Sequence, residues 1–174
     1  MRSVETTVTY LEMTCEHVHH LPSPARLKLM LLRVENITTD FYRFLYAAAG
    51  KGFERSNRSF LSDEELSLVI YAAGVEVWVV YGNGQPAGFF ELAPAKCDTL
   101  ALEYFGIASQ FRGFGLGKWL LGEAIRAAWE RKPRKLIVQT STLDSPAALR
   151  LYQKMGFTPY DQKQETVIIP ARPL

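Results

Sequence analysis

The stretch from Thr99 to Lys132, TLALEYFGIASQFRGFGLGKWLLGEAIRAAWERK, constrains this chain more than any other. Thr99 to Ile107 is rich in β-branched and aromatic residues, which predicts a strand. Arg112-Gly113-Phe114-Gly115-Leu116-Gly117 predicts a tight loop, and from Leu116 onward Leu116, Leu120, Ala124 and Ala127 recur at helical spacing. A helix N-terminus carries unpaired backbone N–H groups and about half a positive charge. Glycines at alternate positions leave those N–H groups uncovered, so the loop through Lys118 suits a phosphate or pyrophosphate. The same residues also suit a plain strand-to-helix connection.

Two familiar phosphate loops fit poorly. A Walker loop closes on Gly-Lys-Ser/Thr, whereas Gly117-Lys118 is followed here by Trp119. A Rossmann turn needs GxGxxG and an acid ending the next strand. Here the spacing is GxGxG, and the next strand ends in Gln139-Thr140.

Composition narrows the classes further. A chain of 174 residues with 48% hydrophobic content can bury one full core, so a single domain over 1–174 is expected. A net charge of +2 gives no general pull toward nucleic acid or anionic membrane. The basic cluster Arg126, Arg131, Lys132, Arg134 and Lys135 reads as a solvated helix end. Two distant cysteines, Cys15 and Cys97, make no disulfide framework. No segment reaches the roughly 18 apolar residues that span a bilayer, and the first residues lack an apolar signal core. A cytoplasmic protein is expected. His17, His19 and His20 precede a proline-rich loop without metal-ligand spacing, so no metal is expected.

In chain order, Val4 to Met13 alternates as a strand, and Leu27 to Val34 reads as a second. Thr38 to Ala49 reads as a helix capped by Thr39 or Asp40, with Phe41, Phe44, Leu45 and Ala48 on its core face. Lys51 to Phe60 is aperiodic and reads as a loop. Ser62 and Glu65 form a capping box ahead of a second helix. Val75 to Tyr81 and Gln85 to Leu92 flank a Gly82-Asn83-Gly84 turn and predict a hairpin. Lys135 to Thr140 is a strand. Asp144 or Ser145 caps a short helix with Pro146 at its first position. Phe157 to Asp161 and Glu165 to Ile169 read as a closing hairpin, whose Val167-Ile168-Ile169 edge would suit a second subunit in a homodimer.

Arg112, Gly115 and Gly117 match the Gln/Arg-x-x-Gly-x-Gly/Ala signature of the GNAT superfamily of N-acyltransferases, and the chain resembles that family. Ala147-Ala148-Leu149-Arg150-Leu151-Tyr152-Gln153-Lys154-Met155-Gly156-Phe157 resembles its second signature, and the resemblance covers about residues 75–160. It implies an α/β (α+β) fold: a mixed, mostly antiparallel sheet splayed at a cofactor cleft and flanked by about four helices. Residues 1–74 would supply the first strands and the acceptor-side helices. The implied reaction is transfer of an acetyl or other acyl group from acetyl-CoA to a primary amine, by direct attack through a tetrahedral intermediate. The amine belongs to a small molecule or to a protein. The other reading is a non-catalytic acyl-CoA-binding domain.

Under this resemblance the cofactor-binding candidates are Phe105, Gly106 and Ile107 on the central strand and Arg112, Gly113, Phe114, Gly115, Leu116, Gly117 and Lys118 in the loop. Gly106, lacking a side chain, suits close approach of a ligand or marks a bulge. The family often places an asparagine seven residues before the signature tyrosine; Ser145 stands there. Tyr152 is the candidate acid for the leaving thiolate, since a phenol near pKa ~10 protonates a thiolate whose acid lies near ~8.5 with little penalty. Glu91 and Glu103 lie on adjacent strands and are the candidate bases. Alternation sets Glu103 between Leu102 and Tyr104 and on the face of Phe105. A carboxylate inside an apolar strand needs a reason to be there.

Overall fold

The computed structural model describes residues 2–17, 20–51 and 58–169. Its elements are β1 (Arg2–Met13), β2 (Leu29–Val34), α1 (Thr39–Gly50), α2 (Asp63–Ile70), β3 (Glu76–Gly82), β4 (Gln85–Pro94) and β5 (Thr99–Ile107). A one-turn 3-10 helix at Ser109–Phe111 leads to α3 (Leu116–Glu130), β6 (Lys135–Ser141), α4 (Ala148–Lys154) and β7 (Thr158–Ile169). The strands form one sheet in the order β2-β3-β4-β5-β6-β1-β7. Every neighbouring pair is antiparallel except β5 and β6. This is the mixed sheet with four flanking α-helices that the family resemblance implies.

The register of the parallel pair opens the sheet. β5 and β6 are paired from Thr99↔Lys135 to Leu102↔Val138 and no further, although β5 runs on to Ile107. Its last five residues therefore keep β4 on one side and lose β6 on the other. A β-bulge sits at the same place. Glu91 pairs with Tyr104 and Leu92 with Leu102, so Glu103 is the extra residue. A bulge breaks the two-residue alternation and re-aims the side chains beyond it. Leu102 and Phe105 pack into the core under α3 and α4, while Tyr104 packs into the core under α1 and α2. Strict alternation sets Leu102 and Tyr104 on one face; the bulge puts them on opposite faces.

Two cores follow from the two faces. Leu116, Leu120, Leu121, Ala124 and Ile125 of α3 are buried against Leu100, Leu102, Leu136 and Phe90. Fully burying each of these leucine, isoleucine and phenylalanine side chains contributes about 1.5–3 kcal/mol. On the other face α1 buries Tyr42, Leu45, Tyr46 and Ala49 against Phe89 and Tyr104.

Four local expectations are corrected. The cap of α1 is Thr38, whose side chain accepts from the Phe41 N–H at 3.2 Å. Its core stripe is turned by one residue, leaving Phe44 54% exposed. Tyrosine can take the interior because the Tyr42 hydroxyl finds buried polar partners. In α4, neither Asp144 nor Ser145 is the cap. The helix starts later, after Ala147, while Asp144 accepts from the Ser141 N–H and the Thr140 hydroxyl. The closing hairpin is absent: β7 is one continuous strand along β1. Its polar middle is not a turn, because Gln162 and Gln164 donate across the ladder to the Thr9 and Thr7 hydroxyls. The capping box at Ser62 and Glu65 is formed in both directions.

Among the described residues, no helix is long and apolar enough to cross a membrane.

Candidate functional site

The α3 N-terminus begins where the glycines demand it. Gly113 and Gly115 have φ of +84° and +80°, a left-handed backbone that side chains disfavour. Gly115 is the N-cap and brings no side chain to the helix end. Among the described residues, the first N–H of the helix with a backbone acceptor is that of Trp119, on the Gly115 carbonyl. No described group accepts from the N–H groups of Gly113 through Lys118. Gly113, Phe114, Gly115 and Lys118 are solvent-exposed. Leu116 turns inward and is 1% exposed, so it offers only its backbone.

A cavity of about 180 Å³ starts beside this helix end. Gly117, Arg112, Ser145, Ala147 and Leu151 border it, together with Phe105, Gly106 and Ile107 on the free flank of β5. A second cavity of about 480 Å³ lies beyond, where β5 and β6 part. Tyr104, Phe105 and Tyr152 border both, so the two cavities meet at these rings. Tyr152 is 2% exposed. It stands edge-on to Phe105 and to Phe157, with centroids 6.4 and 5.8 Å away. Gly156, at φ +101°, ends α4 and lets the chain turn into Phe157.

Two cofactor candidates have roles the sequence does not reveal. Arg112 is a clamp. Its Nε donates to the Ile107 carbonyl at 3.2 Å, and its Nη1 and Nη2 donate to the Lys51 and Ala49 carbonyls at 2.9 and 2.8 Å. It thereby ties the end of β5 to the carbonyl end of α1, where cations are favoured. Gly106 makes room for protein as well: a Cβ there would meet the Ala49 Cβ at 2.8 Å and the Tyr104 ring at 3.1 Å. Ser145 borders the smaller cavity, its hydroxyl accepting from the Ala147 N–H at 3.3 Å.

The two carboxylates part company. Glu91 is 0% exposed and does not border either cavity. Its Oε2 accepts from the Tyr42 hydroxyl at 2.8 Å and from Arg58 Nη1, and Arg58 also donates to the Tyr42 oxygen. Its Oε1 has no described hydrogen-bond partner. Burial, then the Glu91 charge, pushes the Tyr42 phenol far above its ordinary value. Burial works against the Arg58 charge, yet the bonds to Glu91 and Tyr42 hold it more firmly protonated than usual. Glu103 borders the larger cavity beside Arg58 and Phe60. The bulge leaves it accessible to water at the rim, and yet the surrounding walls raise its carboxyl above the ordinary glutamate range. Arg58 pulls that value down by less, and Glu91 adds to the rise.

Sequence reasoning missed Arg58, which lies in an aperiodic stretch. The one usable signal was Glu91 itself, since a carboxylate in a buried strand demands a cation. His19 lies outside the described residues. Among those described, no group of three or more His, Cys, Asp or Glu is placed to hold a metal ion.

A family model described as an acetyltransferase (GNAT) domain matches residues 73–159. No curated protein matches the chain. Among solved structures, a GCN5-related N-acetyltransferase from Sphaerobacter thermophilus aligns with a TM-score of 0.69 and 14% identity, covering 92% of this chain and 50% of that one. A functionally unknown conserved protein from Staphylococcus epidermidis aligns at 0.63 and 18% identity, covering 93% and 61%. The chain thus spans between half and about three fifths of these two. A GNAT family acetyltransferase from Elizabethkingia anophelis, solved with acetyl-CoA bound, aligns at 0.58 and 24% identity, covering 76% and 78%. With the family model spanning half of its length and the splayed sheet, glycine loop and Tyr152 helix in the matched segment, the chain belongs to the GNAT acetyltransferase family.

Proposed function

We propose that this protein transfers an acyl group, most simply acetyl, from acyl-CoA to a primary amine by direct attack of the amine. The supporting observation is the junction of two cavities at Tyr152 and Phe105. One runs to a helix end with unsatisfied amides, the other to a carboxylate. Acyl-CoA would supply an activated thioester. The amides of Gly113 to Lys118 suit its pyrophosphate. The free flank of β5 at Phe105, Gly106 and Ile107 suits an amide-rich arm that pairs like an added strand, with Ser145 and Leu151 as the opposite wall.

Glu103 serves as the base. An ordinary glutamate near ~4.3 facing an ammonium near ~10.4 is about six units short, roughly 8 kcal/mol. Desolvation narrows that gap from the carboxylate side. Tyr152 holds the proton that the departing thiolate takes. A backbone N–H of Phe105 to Ile107 steadies the developing oxyanion. Glu91 acts through Arg58 and does not touch the acceptor.

The test is CoA release from acetyl-CoA over a panel of amines, with wild type, Glu103→Gln and Tyr152→Phe. Each variant should lose about 10²-fold or more in kcat/KM. Acetyl-CoA binding without CoA release on any amine would leave a binding module instead.

A further inference from the structure

The larger cavity holds more negative charge than one reacting amine requires. Opposite Glu103, Glu165 of β7 borders the same space. The register Thr6↔Glu165 sets Thr6, Val8, Glu165 and Val167 on one face, and all four border the cavity. Gln162 and Gln164 fall on the other face. The Tyr10 hydroxyl donates to Glu165 Oε1 at 2.9 Å. That bond fixes the carboxylate, and no described group occupies Oε2.

Among the described residues, the positive charges nearby are matched. Arg58 is the basic residue bordering the cavity among those described, and Glu91 lies against it. Lys163, on the Glu165 face of β7, pairs with Asp161 at 3.7 Å and lies over the Tyr10 ring. Asp144, a third acid at the cavity wall, is engaged by Thr140 and Ser141. Among the described residues, the cavity carboxylates with no cation partner and at most one hydrogen bond are Glu103 and Glu165. Between them the walls are apolar: Val8, Val167, Leu102 and Phe60.

Resting on the acyl-transfer reading, we infer that the acceptor is a linear dication, an α,ω-diamine or polyamine. Its reacting nitrogen lies at Glu103 and its far ammonium at Glu165. β6 and β1 separate β5 from β7. The β5–β6 pairing ends at Leu102, so three ordinary inter-strand steps set the strands at least roughly 14 Å apart. The register also places Glu165 about four residues further along the strands than Glu103, and a separation of that order suits a chain of several methylenes. A charge-assisted bond at each end fixes which nitrogen reacts.

The experiment is calorimetric titration of the full chain, wild type and Glu165→Gln, with 1,8-diaminooctane and with 8-amino-1-octanol. The second probe keeps the length and replaces one ammonium with a hydroxyl. Wild type should bind the diamine about fivefold or more tightly than the amino alcohol, and Glu165→Gln should bring the two together. Equal binding by wild type, or a diamine advantage that survives Glu165→Gln, overturns the inference. CoA release, measured in parallel, reports on acyl transfer separately. A diamine that binds by this criterion without releasing CoA sinks the transfer reading and leaves the dication site standing.

Discussion

Glu91 and Glu103 stand on neighbouring strands, and both side chains belong to the same chemistry. Their surroundings make them different groups. Glu91 is sealed under α1, where Arg58 and Tyr42 close on one oxygen. Glu103 is lifted out of the ladder by the bulge and left at a cavity rim with no described hydrogen bond. One carboxylate is consumed in holding the structure, and the other stands open to the cavity, which suits the proposed contact with an outside partner. The comparison teaches that a buried charge is the poorer candidate for catalysis when its counter-ion is built in. Arg58 links the two, because it pairs with Glu91 and also faces Glu103.

The most severe break is Glu91→Ala. Removing one member of a buried pair strands the other, which costs about 3–5 kcal/mol. For a chain of this size the melting temperature should fall by roughly 10 °C. A melt indistinguishable from wild type would show that Glu91 carries no structural duty. Glu103→Gln should do the reverse: the melt at pH 7 stays within about 0.5 kcal/mol, while transfer falls about 10²-fold or more.

The pH dependence sharpens the contrast. The native carboxyl of Glu103 sits above its unfolded value. The folded state therefore holds this proton more tightly than the unfolded chain. Its contribution to stability is fully present below the ordinary glutamate range near ~4.3 and is lost as pH rises through the higher native value. Wild type should accordingly gain stability relative to Glu103→Gln as pH falls through that window. A difference that stays flat with pH rejects the raised value. The acid limb of kcat/KM should sit above the ordinary glutamate range as well.

Packing supplies smaller effects. Gly106→Ala drives a methyl into Ala49 and should cost about 1–3 kcal/mol, read by denaturant unfolding. If instead it lowers only the affinity for acetyl-CoA, the glycine serves the ligand rather than α1. Gln162→Ala and Gln164→Ala remove cross-strand bonds to β1 and should each cost about 0.2–1 kcal/mol. Neither should alter the balance between the two carboxylates.

Much of the fold was legible from local signals. Ser62 and Glu65 mark a helix start because a capping box is a local hydrogen-bond pattern. Gly82-Asn83-Gly84 marks a hairpin because left-handed backbone favours those residues. The α1 face was misread because hydrophobicity scales rank phenylalanine above tyrosine, whereas the buried hydroxyl of Tyr42 is satisfied by residues far along the chain. The polar run from Asp161 to Glu165 was misread as a turn because its partners, Thr7 and Thr9, lie more than 150 residues away.

Sequence alone determined the elements whose stabilising contacts lie within a few residues: the glycine turn ahead of α3, the capped helices and the strand periods. The glycine spacing also offered the amide-rich helix end as a candidate anion seat, and the family resemblance offered Tyr152 as a candidate acid. Only the tertiary structure decided where the N-terminal strand goes, between β6 and β7. It alone decided that Glu103 is a bulge, that Arg112 is a clamp, and that Arg58 belongs to Glu91. Each of those outcomes depends on which distant backbone or charge arrives as neighbour, and spacing along the chain carries no record of that.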